Sequence, residues 1–192
     1  VTNGDFATDS DWNKLNGSTI SGGVGNVIAN GDIGITGANW SLSQDVGMIL
    51  GKTYKISFSA RQTGGTGNLQ VAQAFLKGFN QSITSSFADY SFYITALNYS
   101  GNTGKISIGG NINGDTFEVD NISVKEVGQD WTVSDYGSIA ASASLSLDNG
   151  AVKILKTADR DWRSSFLRQT ISYTVGSTYK VTFKIKDGNL NS

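Results

Sequence analysis

The chain has 192 residues, enough to bury a sizeable core as one large or two small domains. With 15 Lys and Arg against 16 Asp and Glu its net charge is −1, which argues against nucleic-acid binding, where a basic face is required. It contains no Cys, Pro or His, which excludes disulfides, thiolate chemistry, and the usual neutral-pH base and zinc ligand.

The 24 glycines and 10% aromatics, with abundant Ser, Thr and Asn, indicate an all-β chain with many turns. No apolar run approaches bilayer length and no signal peptide is apparent, so no membrane insertion is expected. The chain opens at Val1, which suggests processing or a fragment of something longer.

Alternating apolar and polar residues predict strands around 18–21, 24–30, 32–36, 40–49, 53–62, 68–76, 88–96, 104–109 and 116–126. Asn-Gly pairs at 3–4, 16–17, 30–31 and 113–114 mark turns, and "NGD" at 30–32 is the best hairpin signal. Eight or nine short strands in roughly 125 residues predict a two-sheet β-sandwich, a jelly roll. In the last strand, "FEVDNISVKEV", Phe117 and Val119 have one parity while Ile122 and Val124 have the other. That slip predicts a bulge at Asp120-Asn121.

"GKTYKISF", from Gly51 to Phe58, contains the Gly-Lys-Thr that ends a phosphate-binding loop. That loop needs a glycine five positions earlier and a helix directly after. Position 46 is Val46, and the residues after Lys52-Thr53 alternate as a strand, so the nucleotide reading fails. The stretch matters as half of a repeat, because "GSTYKVTF" reappears from Gly176 to Phe183, at an offset of 125. Gln44–Gly51 matches Gln169–Gly176 at the same offset, and "DWNKLNGS" from Asp11 matches "DWTVSDYGS" from Asp130 at an offset of 119. The period is domain-sized. It divides the chain into a first unit, 1–127, and the N-terminal part of a similar second one, 128–192. Tyr54, Ile56 and Phe58, and then Tyr179, Val181 and Phe183, are expected to face a core. The second unit stops about halfway, leaving an open sheet edge. It is expected to continue in a longer chain or to be completed by a neighbouring subunit.

The opening "NGDF" with Trp12 soon after, the central "LSQDVGMILGKTYKISFSAR" and the closing "FEVDNISVKEV" resemble carbohydrate-binding modules with the galactose-binding-like jelly-roll fold. The wording of "DWNK", "TISGG" and "DNISVKEV" is similar to modules repeated along tail fibres and other virion proteins of tailed bacteriophages. The resemblance covers 1–127 fully and 128–192 as a truncated copy. It implies a non-catalytic module at the virion surface or otherwise extracellular. Its partners would be a cell-surface polysaccharide and other virion subunits, in a homo-oligomer. The alternative is a structural virion protein whose jelly rolls act as spacers. The resemblance also implies a structural Ca²⁺ held by Asp5 and Asp120, although Ala7 stands where such modules carry a glutamate. Asp120 would otherwise accept backbone N–H groups at the bulge.

Sugar recognition needs flat aromatic faces for the C–H side of a pyranose and fixed polar groups for its hydroxyls. Trp40, Leu42, Gln44 and Val46 share one parity, so Trp40 is either core or the outer end of that row and a platform. Tyr90, Phe92 and Ile94 form an apolar row that leaves Tyr93 off the core, as a second platform candidate. Arg61 closes the polar row Lys55, Ser57, Ser59, and either grips a hydroxyl pair or acidic sugar or is simply solvated. Gln70 and Gln73 are candidate hydrogen-bonders on the next strand. The basic cluster Lys153, Lys156, Arg160, Arg163 and Arg168 around Trp162 either attracts an anion or is balanced by Asp159 and Asp161. Glycosidases work with paired carboxylates, and the only glutamates are Glu118 and Glu126, with no second acid evidently facing either. An enzyme is therefore not expected.

Overall fold

The structure is a computed structural model that describes residues 1–34, 39–73, 76–98, 101, 104–128, 172 and 174–182, together with the backbone of strands at 131–134, 143–148, 151–156 and 166–169. Two five-stranded antiparallel sheets form a β-sandwich, and no helix occurs among the described residues. The first sheet runs β1 (Asn13–Lys14), β4 (Leu42–Asp45), β9 (Lys105–Gly110), β6 (Leu69–Gln73), β7 (Leu76–Gln81). The second runs β2 (Thr19–Ser21), β3 (Val24–Ile28), β10 (Thr116–Glu126), β5 (Thr53–Gly64), β8 (Ala88–Thr95). This is the all-β sandwich expected from the alternating runs.

The core lies between the sheets. Leu42, Leu69, Val71, Ile106 and Ile108 face Val27, Ile56, Phe58, Phe117 and Val119, all buried in one cluster. Phe58, Phe79 and Tyr90 pack with ring centroids 5.2 to 5.7 Å apart, where edge and offset contacts add to the area buried. Tyr54, Ile56 and Phe58 face this core as the period of β5 requires.

The bulge in β10 is where the sequence slips: its register against β5 shifts between Asp120 and Ser123, and Asn121 has φ +52°. Asn tolerates that left-handed conformation, and Ile122 is thereby returned to the core. The Asn-Gly at 30–31 is a correction. The tight hairpin in this region joins β2 to β3 through Gly22-Gly23, both at positive φ, whereas Asn30-Gly31 starts the passage from the second sheet to the first. Of the strand expected at 32–36, residues 32–34 are not in a strand and 35–36 lie outside the described residues. The strand expected at 68–76 is instead a hairpin, β6 and β7, with only 74–75 between them.

The repeat recurs in backbone pairing. β1 pairs β4 with Asn13 opposite Ser43, and β11 (Trp131–Ser134) pairs β14 (Phe166–Gln169) with Thr132 opposite Arg168, at the offsets read from the sequence. The β2–β3 hairpin has its counterpart in β12 (Ala143–Asp148) with β13 (Ala151–Lys156). The turn before each copied strand is also the same. Ile49 N–H donates to the Tyr54 hydroxyl at 2.8 Å and Thr174 N–H to the Tyr179 hydroxyl at 2.7 Å, around Gly51 and Gly176 at φ +79° and +87°. Tyr179 and Val181, expected to face a core, are instead 52% and 76% exposed. Among the described residues no strand pairs with 177–182, whereas Tyr54 and Ile56 lie on a strand held between β10 and β8. Phe183 lies outside the described residues.

Candidate functional site

Each sheet has an outer face, and the sequence-predicted residues divide between them. On the second sheet, Tyr93 points outward and is 36% exposed, opposite Lys55, whose other neighbour is Lys125. Arg61 lies on the same face but six residues along β5 from Lys55, roughly 20 Å away at strand rise. Its guanidinium is engaged: Nε and Nη2 both lie 2.8 Å from Glu118 Oε2, and its plane sits 5.0 Å from the centroid of the Phe87 ring. It is ion-paired rather than solvated alone. Tyr93 and Arg61 therefore make no common site.

Gln73, expected to reach a ligand, is fully buried. Its parity matches Val71, so it points inward, where Nε2 donates to Leu97 O at 3.0 Å and Leu97 N–H donates to Oε1 at 3.1 Å. The amide pins the segment after β8 to β6, and this is the correction to its expected role. Gln70, of opposite parity, is equally buried, but on the outer face of the first sheet. Ile33 N–H donates to its Oε1 at 2.8 Å, while its Nε2 donates to Asp32 and Asn80. Segment 29–34 is thus strapped over the outer face, with buried Ile33 against Gly109, where a Cβ would come within 3.1 Å of its side chain.

Asp32 anchors the strap's exposed edge through Lys77 Nζ at 2.6 Å. That hydrogen bond, helped by the one from Gln70 and the lysine's charge and opposed by desolvation, holds its carboxyl below the ordinary aspartate range. A depressed folded-state value contributes stability that is full above the ordinary range and is lost as pH falls through the lowered value. Carbon-detected NMR titration is expected to find Asp32 titrating below a solvated aspartate, and Lys77→Met is expected to return it to the ordinary value. An unchanged titration in Lys77→Met would refute the strap's ionic anchor.

Beyond the strap, the outer face of the first sheet carries Ser43, Ser107, Ala72 and Lys77 in one cross-strand row, with Asp45 and Lys105 in the next. Lys105 shares the parity of Ser107, so its side chain is on this face, and its ammonium lies 4.7 Å from the centroid of the Trp40 ring. The half-buried indole of Trp40 is therefore on this face also, not in the core row of Leu42 and Val46. The chain bends at Ser41, whose hydroxyl donates to Ile28 O at 2.6 Å, and the bend breaks the alternation that would have sent Trp40 inward. Lys105 follows the row of Ser43 and Ser107 at the next outward position of β9. Both serines are fully buried, and neither hydroxyl has a hydrogen-bond partner among the described residues. A buried hydroxyl left unpaired costs about 1–3 kcal/mol, so two side by side call for a reason. No sequence signal marked these serines, since a Ser in a strand reads as solvated.

Asp5 and Asp120 sit in adjoining segments, because Ile122 N–H donates to Gly4 O at 2.8 Å. Both Asp120 oxygens are taken by Asn121, its backbone N–H at 2.6 Å and its amide at 3.0 Å, which is the alternative role expected of it. Among the described residues no group of three or more His, Cys, Asp or Glu is placed to hold a metal ion. Calcium takes six to eight oxygens, of which Asp5 and Asp120 would supply only a part. The glutamates are both ion-paired, Glu118 with Arg61 and Glu126 with Lys52 at 3.1 Å. The side chains of the basic cluster around Trp162 lie outside the described residues.

No protein-family model matches the chain, and no curated protein does. Solved structures do resemble it, carbohydrate-binding modules of β-sandwich fold among them. One is a CBM4 module, 21% identical, covering 65% of this chain and 98% of its own, with a TM-score of 0.44. A second is the CBM22-1 xylan-binding domain from Paenibacillus barcinonensis Xyn10C, 9% identical over 64% of this chain and 90% of its own, TM-score 0.45. A third is the N-terminal cellulose-binding domain of Cellulomonas fimi β-1,4-glucanase C, 14% identical over 65% and 93%, TM-score 0.40.

Proposed function

We propose that the chain is a non-catalytic glycan-binding module and that a sugar lies on the outer face of the first sheet, at Trp40. One observation carries this reading: a half-buried indole on the outer face of the first sheet, which also carries two buried serine hydroxyls that nothing among the described residues satisfies. A pyranose offers an apolar C–H face for the ring and hydroxyls for the serines. The amides of Asn13, Asn39 and Asn80 and the Asp32–Lys77 pair stand on or beside the same face as a polar surround. With both glutamates ion-paired, no glutamate couple is presented for glycoside hydrolysis. Binding by one such shallow site is weak, and repetition of the module supplies avidity.

The setting belongs to the same proposal: a surface appendage such as a tailed-phage tail fibre, outside the cell, beside other virion subunits and copies of itself. It rests on the wording of "DWNK", "TISGG" and "DNISVKEV".

A glycan array probed with the whole 192-residue chain tests the binding. Trp40→Ala is expected to lower affinity for the retained glycans at least tenfold without moving the thermal midpoint, whereas Tyr93→Ala, on the opposite sheet, leaves it unchanged. A folded chain that retains no glycan would instead support the spacer reading.

A further inference from the structure

We infer that the sugar bound at Trp40 is an acidic one, recognised through its carboxylate by Lys105. This deepens the glycan-binding reading and rests on it. Four lysine or arginine side chains make ion pairs among the described residues: Lys14 with Asp9, Lys52 with Glu126, Arg61 with Glu118 and Lys77 with Asp32. Lys105 is not one of them, although Asp45 is its direct cross-strand neighbour. Asp45 is turned away: its Oδ1 accepts the Gly47 N–H at 3.0 Å and lies where a Cβ on Gly104 would be. Among the described residues the ammonium is thus left without a carboxylate, and it rests on the indole.

Lys77 and Asp32 are paired with each other, and Asp45, which keeps its charge, turns its Oδ1 to the Gly47 N–H, so Lys105 is the charged group in contact with the indole. The chemistry under it agrees. Two hydroxyls unpaired among the described residues, each able to donate, share this outer face with an ammonium that lies over the indole. A neutral sugar hydroxyl can satisfy the serines but leaves the cation with only the ring. A carboxylate on a pyranose supplies two acceptor oxygens and the opposite charge, and charge-assisted hydrogen bonds are the stronger ones. The sugar ring and the ammonium also compete for the indole. A ligand that stacks there displaces Lys105, and one bearing a carboxylate gives the displaced ammonium a new partner.

The test pairs each uronic-acid polymer with the same polymer after methyl esterification, which removes only the charge. Polygalacturonate, alginate and hyaluronate are measured by calorimetry against the whole chain. The wild-type chain is expected to bind at least one acid form about tenfold tighter than its ester. Lys105→Met, which keeps the apolar stem, is expected to abolish that preference, and Lys105→Arg to retain it. Lys125→Met, on the outer face of the other sheet, controls for general charge and is expected to change nothing. Equal affinity for acid and ester in every pair, or a preference that survives Lys105→Met, overturns the inference. If neutral glycans still bind in a Trp40-dependent way, only the acidic specificity has failed. If no glycan of either kind binds, the glycan-binding reading falls with it.

Discussion

Replacing Gln73 by alanine is expected to destabilise the chain by about 3 kcal/mol, a large fraction of a small domain's stability. The side chain is fully buried, and its amide makes reciprocal hydrogen bonds with both backbone groups of Leu97. Truncation leaves a void next to Ile106, its cross-strand partner, and takes away the acceptor and donor that Leu97 uses. Gln73→Met fills the void but not the hydrogen bonds, and is expected to recover about half of the loss. Urea unfolding separates the two contributions, since the midpoint moves while the slope stays constant. A loss below about 1 kcal/mol in Gln73→Ala would show that the Leu97 segment is held by something else. The contrast with Trp40 is diagnostic. The glutamine change reads out in stability, and the tryptophan change in binding.

The two glutamines of β6 show how far a sequence reaches. Their opposite parities, and so their opposite faces, follow from strand period alone. Their partners do not, because Leu97 and Ile33 come from irregular segments whose paths no local pattern fixes. The long strands were legible for the same reason that the loops were not. β5 alternates from Thr53 to Arg61 and β10 on either side of Asp120-Asn121, where the interruption itself located the bulge, whereas a second register shift at Thr116-Phe117 left no mark in the pattern. β7 shows almost no alternation, since of its six residues only Phe79 is buried, so it merged with β6. β1 is two exposed residues held by pairing with β4. At Asn30-Gly31 the sequence marked a turn correctly but not its destination, because hairpin and crossover ask the same of a backbone. The site was half legible. Trp40 was a candidate from its residue type, but its face was set by a bend at Ser41, and Lys105, Ser43 and Ser107 joined it only through the register of β4 against β9.

Gly4→Ala is the other substitution expected to cost about 3 kcal/mol, and the reason lies at the bulge. A Cβ on Gly4 falls far inside van der Waals distance of the Ile122 carbonyl oxygen, a backbone atom that no rotamer change can move. The closeness is intrinsic to the joint, since Ile122 N–H donates to Gly4 O and Asn121 is already turned into the left-handed region. To admit a methyl group, either β10 loses its bulge or the N-terminal segment lifts away. The first choice turns Ile122 out of the core; the second exposes Phe6 and Trp12, both buried and 5.3 Å apart between ring centroids. It also breaks the clasp in which Gln44 accepts from Thr2 N–H and donates to Thr2 O. Each route forfeits burial worth roughly 2–3 kcal/mol per large side chain. Urea unfolding is expected to show the loss, and fluorescence of Trp12 to show whether the segment has lifted. The same experiment repeated with a divalent-cation chelator is expected to give the same wild-type midpoint, because the joint is packed and hydrogen-bonded through Phe6, Trp12, Gly4 and Ile122. A midpoint that falls on chelation would put an ion between Asp5 and Asp120 after all, whereas a Gly4→Ala chain of wild-type stability would show that the N-terminal segment does not need this contact.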